Sequence, residues 1–278
     1  MIRIPFELRV DFPARLADAL AARGAVVVSV WREPPRAYVR AKTPDTSVFA
    51  RYTTDHRDEA TLAHEVEVRR IIGSRHDLRA PAILERGSSW LLEQAVASEP
   101  CAGAPAIDAI AAAAAALPEL RLHDGPARRN VRGLASVRRT VRLAHSPLPV
   151  RDQLAARRVL ARPDLPLVTS HGDFHTNNVL LAEGTAWVVD WELSGRAPAG
   201  FDLMQMWATL EREDDRERLF EAAVRQVGRR RRWELSRLRY AVVVRTLAGL
   251  LSGPEFERDP VVARRLLALL PEMRIAAD

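Results

Sequence analysis

The chain has 278 residues, 47% of them hydrophobic and 28% charged, and its 42 Lys+Arg against 36 Asp+Glu leave a net charge of +6. That balance excludes disordered, collagen-like and low-complexity classes, and the length suffices for one large domain or two smaller lobes. Lys42 is the only lysine, and the single cysteine, Cys101, excludes an internal disulfide.

In chain order, FPARLADALAA (12–22) has helical spacing and stops at Gly24. AVVVSVW (25–31) reads as a strand, and WREPPR reads as a loop because two prolines cannot sit in a ladder. AYVRAKT (37–43) and SVFARYT (47–53) flank the turn Thr43-Pro44-Asp45-Thr46 and predict a β-hairpin. DEATLAHEVEVRRII (58–72) predicts a helix with Leu62, Val66, Val68 and Ile72 as its apolar positions. Strand patterns at 81–84 and 89–93 complete a strand-rich first third. Residues 98–105, with two prolines and a glycine, read as a linker. Beyond it lie helical patterns at 106–117, 151–162, 202–212, 215–227, 233–252 and 260–270. One island breaks them: the short strands LPLVTS (165–170), NVLLA (178–182) and AWVVD (186–190). The N-terminal stretch MIRIPFELRVDF is broken by charge and proline and does not read as a signal peptide. The longest apolar run is Ile110 to Leu117, far short of the ~20 residues that span a bilayer. The reading is a soluble, cytoplasmic protein.

The chemistry concentrates in the island, at His171-Gly172-Asp173-Phe174-His175-Thr176-Asn177-Asn178 and Asp190-Trp191-Glu192. Asp173 and Asn178 lie five apart on a loop between two strands, and Asp190 ends the next strand. This spacing suits phosphoryl transfer. One carboxylate orients an attacking hydroxyl and accepts its proton, while an amide oxygen and a second carboxylate hold Mg²⁺ against nucleotide phosphates.

HGDFHTNN, VVDWE and the later Ala199-Gly200-Phe201-Asp202-Leu203 together resemble the aminoglycoside phosphotransferase and choline kinase-like family. The resemblance implies an α+β, protein-kinase-like bilobal fold. Residues 1–97 would form a small antiparallel nucleotide-binding lobe, and residues 98–278 a larger, mainly helical catalytic lobe. It also implies roles: Asp173 as catalytic base, Asn178 and Asp190 as Mg²⁺ ligands, and His171 as the residue tying the loop to the metal-binding segment. Asp202 would be a buried acid anchoring the loop, and His175 a loop-orienting histidine. Trp191 reads as a packing aromatic.

A kinase-like enzyme also needs a cation on the third strand, paired with a helix glutamate. Glu65 fits the helix position, with Glu67 as fallback, and Arg51 stands where a lysine is usual. Arginine supplies a planar fork rather than a point charge and can still grip phosphate. Lys42 is the rival: a two-residue turn would set it opposite Val48, away from Arg51, and a four-residue loop opposite Phe49, on the face of Arg51. No Gly-rich loop precedes Gly73, so the segment Ser29 to Arg36 would serve the phosphates, with Ser29, Arg32 or Arg36 as contacts. Glu93 and Ala95 sit where an interlobe hinge would meet a purine base.

The implied activity is transfer of a phosphate from ATP or GTP to a small-molecule hydroxyl, with an antibiotic as leading acceptor and a sugar, amino alcohol or other metabolite as alternative. A catalytically weak kinase-like scaffold is the alternative of another class. The acidic residues Glu211, Glu213, Asp214, Asp215 and Glu217 read as a solvated helix end or a patch for a cationic acceptor. Arg229 to Arg232 read as a solvated helix junction rather than a nucleic-acid contact. No nucleic-acid or membrane partner is expected.

Overall fold

The computed structural model describes residues 12–33, 36–73, 77–120, 148–161, 163–252 and 260–275. They divide into two compact units. The first comprises Met1–Ser98 with Trp187–Glu192, and the second comprises Glu99–Ala186 with Leu193–Asp278.

The first unit begins with α1 (Ala14–Ala22), followed by β1 (Val26–Glu33), β2 (Arg36–Lys42) and β3 (Ser47–Thr53). Then come α2 (His56–Ile72), β4 (Ile83–Arg86) and β5 (Trp90–Gln94). The strands form one antiparallel sheet in the order β1-β2-β3-β5-β4. Alternation sorts the side chains, because successive residues of a strand point to opposite faces. Ala37, Val39, Ala41, Val48, Ala50, Tyr52, Trp90 and Leu92 face one way and bury against Leu16, Ala19 and Leu20 of α1. Tyr38, Phe49 and Arg51 face the other way, and on that side Arg51 meets α2 at Glu65.

Two expectations for this sheet change. The strands run further than the WREPPR pattern suggests: Arg32 pairs with Ala37 and Glu33 with Arg36, so β1 and β2 are laddered up to Pro34–Pro35, which lie outside the described residues. Lys42 pairs with neither Val48 nor Phe49 but with Ser47. The turn sets this register. Thr43 N–H donates to the Thr46 carbonyl at 2.7 Å, and the Thr43 hydroxyl bonds the same carbonyl at 2.8 Å, closing the loop over Pro44–Asp45. Lys42 therefore shares the face of Arg51 but sits at the opposite end of the strand pair, exposed to solvent.

The second unit contains α3 (Ala104–Ala116), α4 (Val150–Ala161), α5 (Phe201–Thr209), α6 (Glu213–Val227), α7 (Arg232–Ser252) and α8 (Pro260–Ile275). Helix α7 is the central element and packs against α4, α5 and α8. Buried Asp152 of α4 ties three of them together, accepting from Tyr240 Oη at 2.6 Å and from Arg274 Nε at 2.9 Å. Strand β6 (Leu167–Ser170) pairs with β9 (Gly195–Pro198), an element the island pattern does not reveal. Between them run β7 (Val179–Ala182) and β8 (Thr185–Val188), joined through Glu183 and Gly184, both at positive φ. The linker is shorter than its composition suggests: α3 starts at Ala104, and Asp215 Oδ2 accepts the Gly103 N–H at 3.0 Å. Asp215 is thus buried and structural, not part of an open acidic patch. Arg229–Arg231 form an exposed 3-10 turn leading into α7. No helix among the described residues is long and apolar enough to cross a membrane.

Candidate active site

Strand β6 ends at Ser170 and delivers the chain into the His171–Asn178 loop. Asp202, in the first turn of α5, holds this entry. Its carboxylate accepts the Ser170 hydroxyl at 2.8 Å, the His171 N–H at 3.0 Å and the Gly172 N–H at 3.0 Å. Burial pushes the Asp202 carboxyl up, and His171 and these donors oppose that rise. Gly172 is required by its conformation: φ is +85°, and a Cβ there would lie 2.3 Å from the Leu193 carbonyl oxygen.

The loop is then closed by its own side chains. His171 is fully buried, packs edge-on against Phe174 and accepts the Asp173 N–H on Nδ1 at 3.3 Å. Asn177 N–H donates to His175 Nδ1 at 3.2 Å, which leaves the proton of a neutral His175 on Nε2. That nitrogen lies 3.4 Å from Asp173 Oδ2. Asn178 Nδ2 donates to the Asp173 carbonyl at 2.9 Å and to Asp173 Oδ2 at 3.2 Å. The Asn178 amide oxygen therefore points away from Asp173. Burial alone would raise Asp173, but His175, with smaller help from His171 and Arg245, holds its carboxyl below the usual carboxylate range. Phe174 N–H and Thr176 N–H are taken by Gln205 and Thr209 of α5.

The first unit carries the other charged constellation. Arg51, 6% exposed, forms an ion pair through Nη2 with Glu65, which is fully buried. Arg51 Nη1 donates to Asp190 Oδ1 at 2.9 Å. Asp190 itself sits at φ 63°, a left-handed conformation that Asp tolerates better than most residues. Behind Glu65, Arg69 Nη2 lies 2.6 Å from Glu65 Oε1 while Arg69 Nη1 pairs with Glu93. Glu67 points outward and pairs with Arg70 at 2.8 Å, so it does not reach Arg51. Trp191 is fully buried, as a packing aromatic should be, and donates its Nε1–H to the Val188 carbonyl at 2.9 Å. Arg36 grips Asp58 with two bonds of 2.6 and 2.5 Å and also pairs with Glu192. Burial, and then the Asp190 charge, push the Glu192 carboxyl up to about 7 against the opposing pull of Arg36. Arg36, Arg51, Asp58, Glu65 and Glu192, with Tyr52, Thr53 and Leu62, line one small pocket.

The model of the phosphotransferase enzyme family matches residues 7–241. The chain belongs to that family.

The resemblance read from HGDFHTNN and VVDWE is thereby borne out. Three solved structures show the shared fold. A macrolide 2'-phosphotransferase from Brachybacterium faecium is 14% identical over 93% of this chain and 98% of that one, with a TM-score of 0.61. A choline kinase from Streptococcus pneumoniae is 12% identical over 93% and 98%, also at 0.61. An aminoglycoside phosphotransferase in ternary complex with ADP and hygromycin B is 13% identical over 92% and 97%, at 0.58. The fold is thus α+β and protein-kinase-like, as expected. A search of curated proteins found no matching sequence.

Within this phosphotransferase the expected residues fall into two groups. Asp173, Asn178, His171, His175 and Asp202 are brought together in the second unit. Arg51, Glu65 and Asp190 are brought together in the first. Glu93 and Ala95 are placed on and just after β5, but with commitments of their own. The Glu93 side chain is spent on Arg69, and the Ala95 N–H donates to the Ser47 carbonyl at 3.1 Å. The sequence reading missed Arg69 and the Asp58 and Glu192 partners of Arg36. The four-residue step from Glu65 to Arg69, one helical turn, was the available signal for the first.

Proposed function

We propose that this phosphotransferase moves the γ-phosphate of ATP or GTP to a hydroxyl of a small molecule, with Mg²⁺ assistance. The observation that carries this reading is the pair of hydrogen bonds that Asn178 Nδ2 donates to the Asp173 carbonyl and carboxylate. It ties the carboxylate to the amide and leaves the amide oxygen on the side away from Asp173. Asp173, held ionised, would orient the acceptor hydroxyl and take its proton as the phosphate transfers.

The donor set fits Mg²⁺, which prefers oxygen ligands and keeps several waters and phosphate oxygens. By the family resemblance, Asn178 and Asp190 would be its ligands. Among the described residues no group of three or more His, Cys, Asp or Glu is arranged to hold a metal, so the protein's two oxygens would act with the nucleotide's own. Bound there, Mg²⁺ would neutralise charge on the β- and γ-phosphates. Arg51, fixed by Glu65, would hold the phosphates. His171 and Asp202 would keep the loop in shape, and His175 would orient Asp173. The lobe 1–97 would bind nucleotide and 98–278 would carry the acceptor. With β5 paired on both sides and the Ala95 N–H engaged, a purine would meet the chain where it leaves β5 at Ala95, beside the aromatic face of Phe49. A nucleotide co-substrate and a single cysteine fit a cytoplasmic protein.

An antibiotic is the leading acceptor, since macrolide and aminoglycoside phosphotransferases share the fold. Choline kinases share it too, so an amino alcohol, a sugar or another metabolite is the second reading. No nucleic-acid or membrane partner is proposed. The test is a panel of hydroxylated antibiotics and metabolites incubated with ATP or GTP and Mg²⁺, with mass spectrometry reading an added phosphate. Asp173→Ala should lower the rate by of order 10²–10⁴. A variant as fast as the wild type would remove Asp173 from the role of base. A chain that binds no nucleotide in the presence of Mg²⁺ would instead be a kinase-like scaffold.

A further inference from the structure

The buried face of α2 is unusual in carrying charge. Leu62, Glu65, Val68, Arg69 and Ile72 are all buried, so Glu65 and Arg69 stand within the apolar stripe itself. A buried charge is tolerated only when paired, and here pairing is chained. Asp190 Oδ1 binds Arg51 Nη1, Arg51 Nη2 binds Glu65, Glu65 Oε1 binds Arg69 Nη2, and Arg69 Nη1 binds Glu93. Arg69 Nη1 also reaches the Pro81 carbonyl at 3.4 Å.

Arg69 is the joint of this chain. Without it Glu65 would face Arg51 alone, and Glu93 would be a buried carboxylate with no cation in the chain. With it, two arginines and two glutamates balance, and Arg51 keeps a nitrogen for Asp190. The fork of an arginine is what allows one side chain to hold two carboxylates in fixed directions; a lysine ammonium is a single point.

We infer that Arg69 is a positioning residue for the nucleotide: through Glu65 it fixes the direction of Arg51, and through Glu93 it fixes the end of β5. One side chain thereby sets both the phosphate-holding cation and the end of β5 proposed to meet the base. This inference rests on the nucleotide reading of Arg51 and β5 given above.

The test compares wild type, Arg69→Lys, Arg69→Met and the double variant Arg69→Met/Glu93→Leu. It measures Mg·ATP and Mg·GTP binding by calorimetry, the thermal midpoint, and nucleotide and acceptor KM for the acceptor that the panel identifies. The double variant exchanges a buried ion pair for an apolar one, a change that often leaves stability intact. It therefore keeps the test decisive if Arg69→Met alone does not fold. The expected result is a double variant melting near the wild type but binding nucleotide roughly 10–100-fold more weakly, the scale seen when an outer partner of a ligand is lost. Acceptor KM should not change, and Arg69→Lys should fall between. A folded double variant with wild-type nucleotide affinity would overturn the inference while leaving the proposed activity standing. A wild-type chain that binds neither nucleotide would overturn both.

Discussion

Asp202 Oδ2 accepts the backbone N–H of His171 at 3.0 Å across 31 residues of sequence. Strand β6 and helix α5 are far apart in the chain, and this bond pins the entry of the Asp173 loop to the helix. Asp202→Ala would take their carboxylate acceptor from two buried donors, the Ser170 hydroxyl and the His171 N–H, while the Gly172 N–H keeps the Ser170 Oγ at 3.0 Å. An unsatisfied buried donor costs about 1–3 kcal/mol, so the loss should be of order 2 kcal/mol or more. Urea unfolding checks this, and Asp202→Asn, which keeps one acceptor oxygen, should lose less.

Gly172→Ala should be damaging out of proportion to its size. The added methyl would meet a backbone carbonyl at 2.3 Å, which no side-chain rotation relieves, and the left-handed φ of +85° adds about 1 kcal/mol or more for a residue with a Cβ. A thermal midpoint clearly below wild type, together with lost transfer activity, is the expected pair of results. An unchanged midpoint would show that the loop can shift away from Leu193.

The Glu192 carboxyl is pushed up from 4.5 to about 7. A folded-state value above the unfolded one means that the folded chain favours the protonated form. The stability this contributes is complete below about pH 4.5 and is lost as pH rises through about 7. In metal-free buffer with chelator, the unfolding free energy of the wild type relative to Glu192→Gln should therefore fall between those two pH values. A difference that stays flat over the interval would place Glu192 with the ordinary exposed carboxylates.

Arg51 and Lys42 separate by substitution. Arg51→Met removes the only cation bonded to both Glu65 and Asp190 among the described residues. It should raise nucleotide KM by roughly 10–100-fold. Arg51→Lys keeps the charge but not the fork and should fall between Met and wild type. Lys42→Ala should change nucleotide KM less than about twofold, since that side chain is exposed at the far end of the strand pair. Steady-state kinetics with varied nucleotide decides all three.

Much of the site was legible because its chemistry is local. HGDFHTNN lies on one loop, and the five-residue step from Asp173 to Asn178 is short enough that the loop closes on itself. The helix 58–72 and the strand 47–53 were legible from periodicity, and so was Glu65 as the partner of a third-strand cation. Strand β9 was not legible, because the four residues Gly195–Pro198 contain a glycine and a proline and acquire strand geometry only by pairing with β6. The burial of Arg69 was not legible either. Apolar spacing nominates Val66 for the core, whereas ion pairing puts Arg69 there.

The sequence by itself determined the family and the α+β class and nominated Asp173, Asn178, Asp190, Arg51 and Glu65 as candidate site residues, because residue type and short spacing carry that information. Only the tertiary structure decided which cation is buried and what it holds. The single lysine and Arg51 share one face of one hairpin. The Thr43–Thr46 turn places Lys42 opposite Ser47 at the solvent end and Arg51 opposite Tyr38 beside α2. There, burial makes a partner obligatory, and Glu65 and Asp190 supply it.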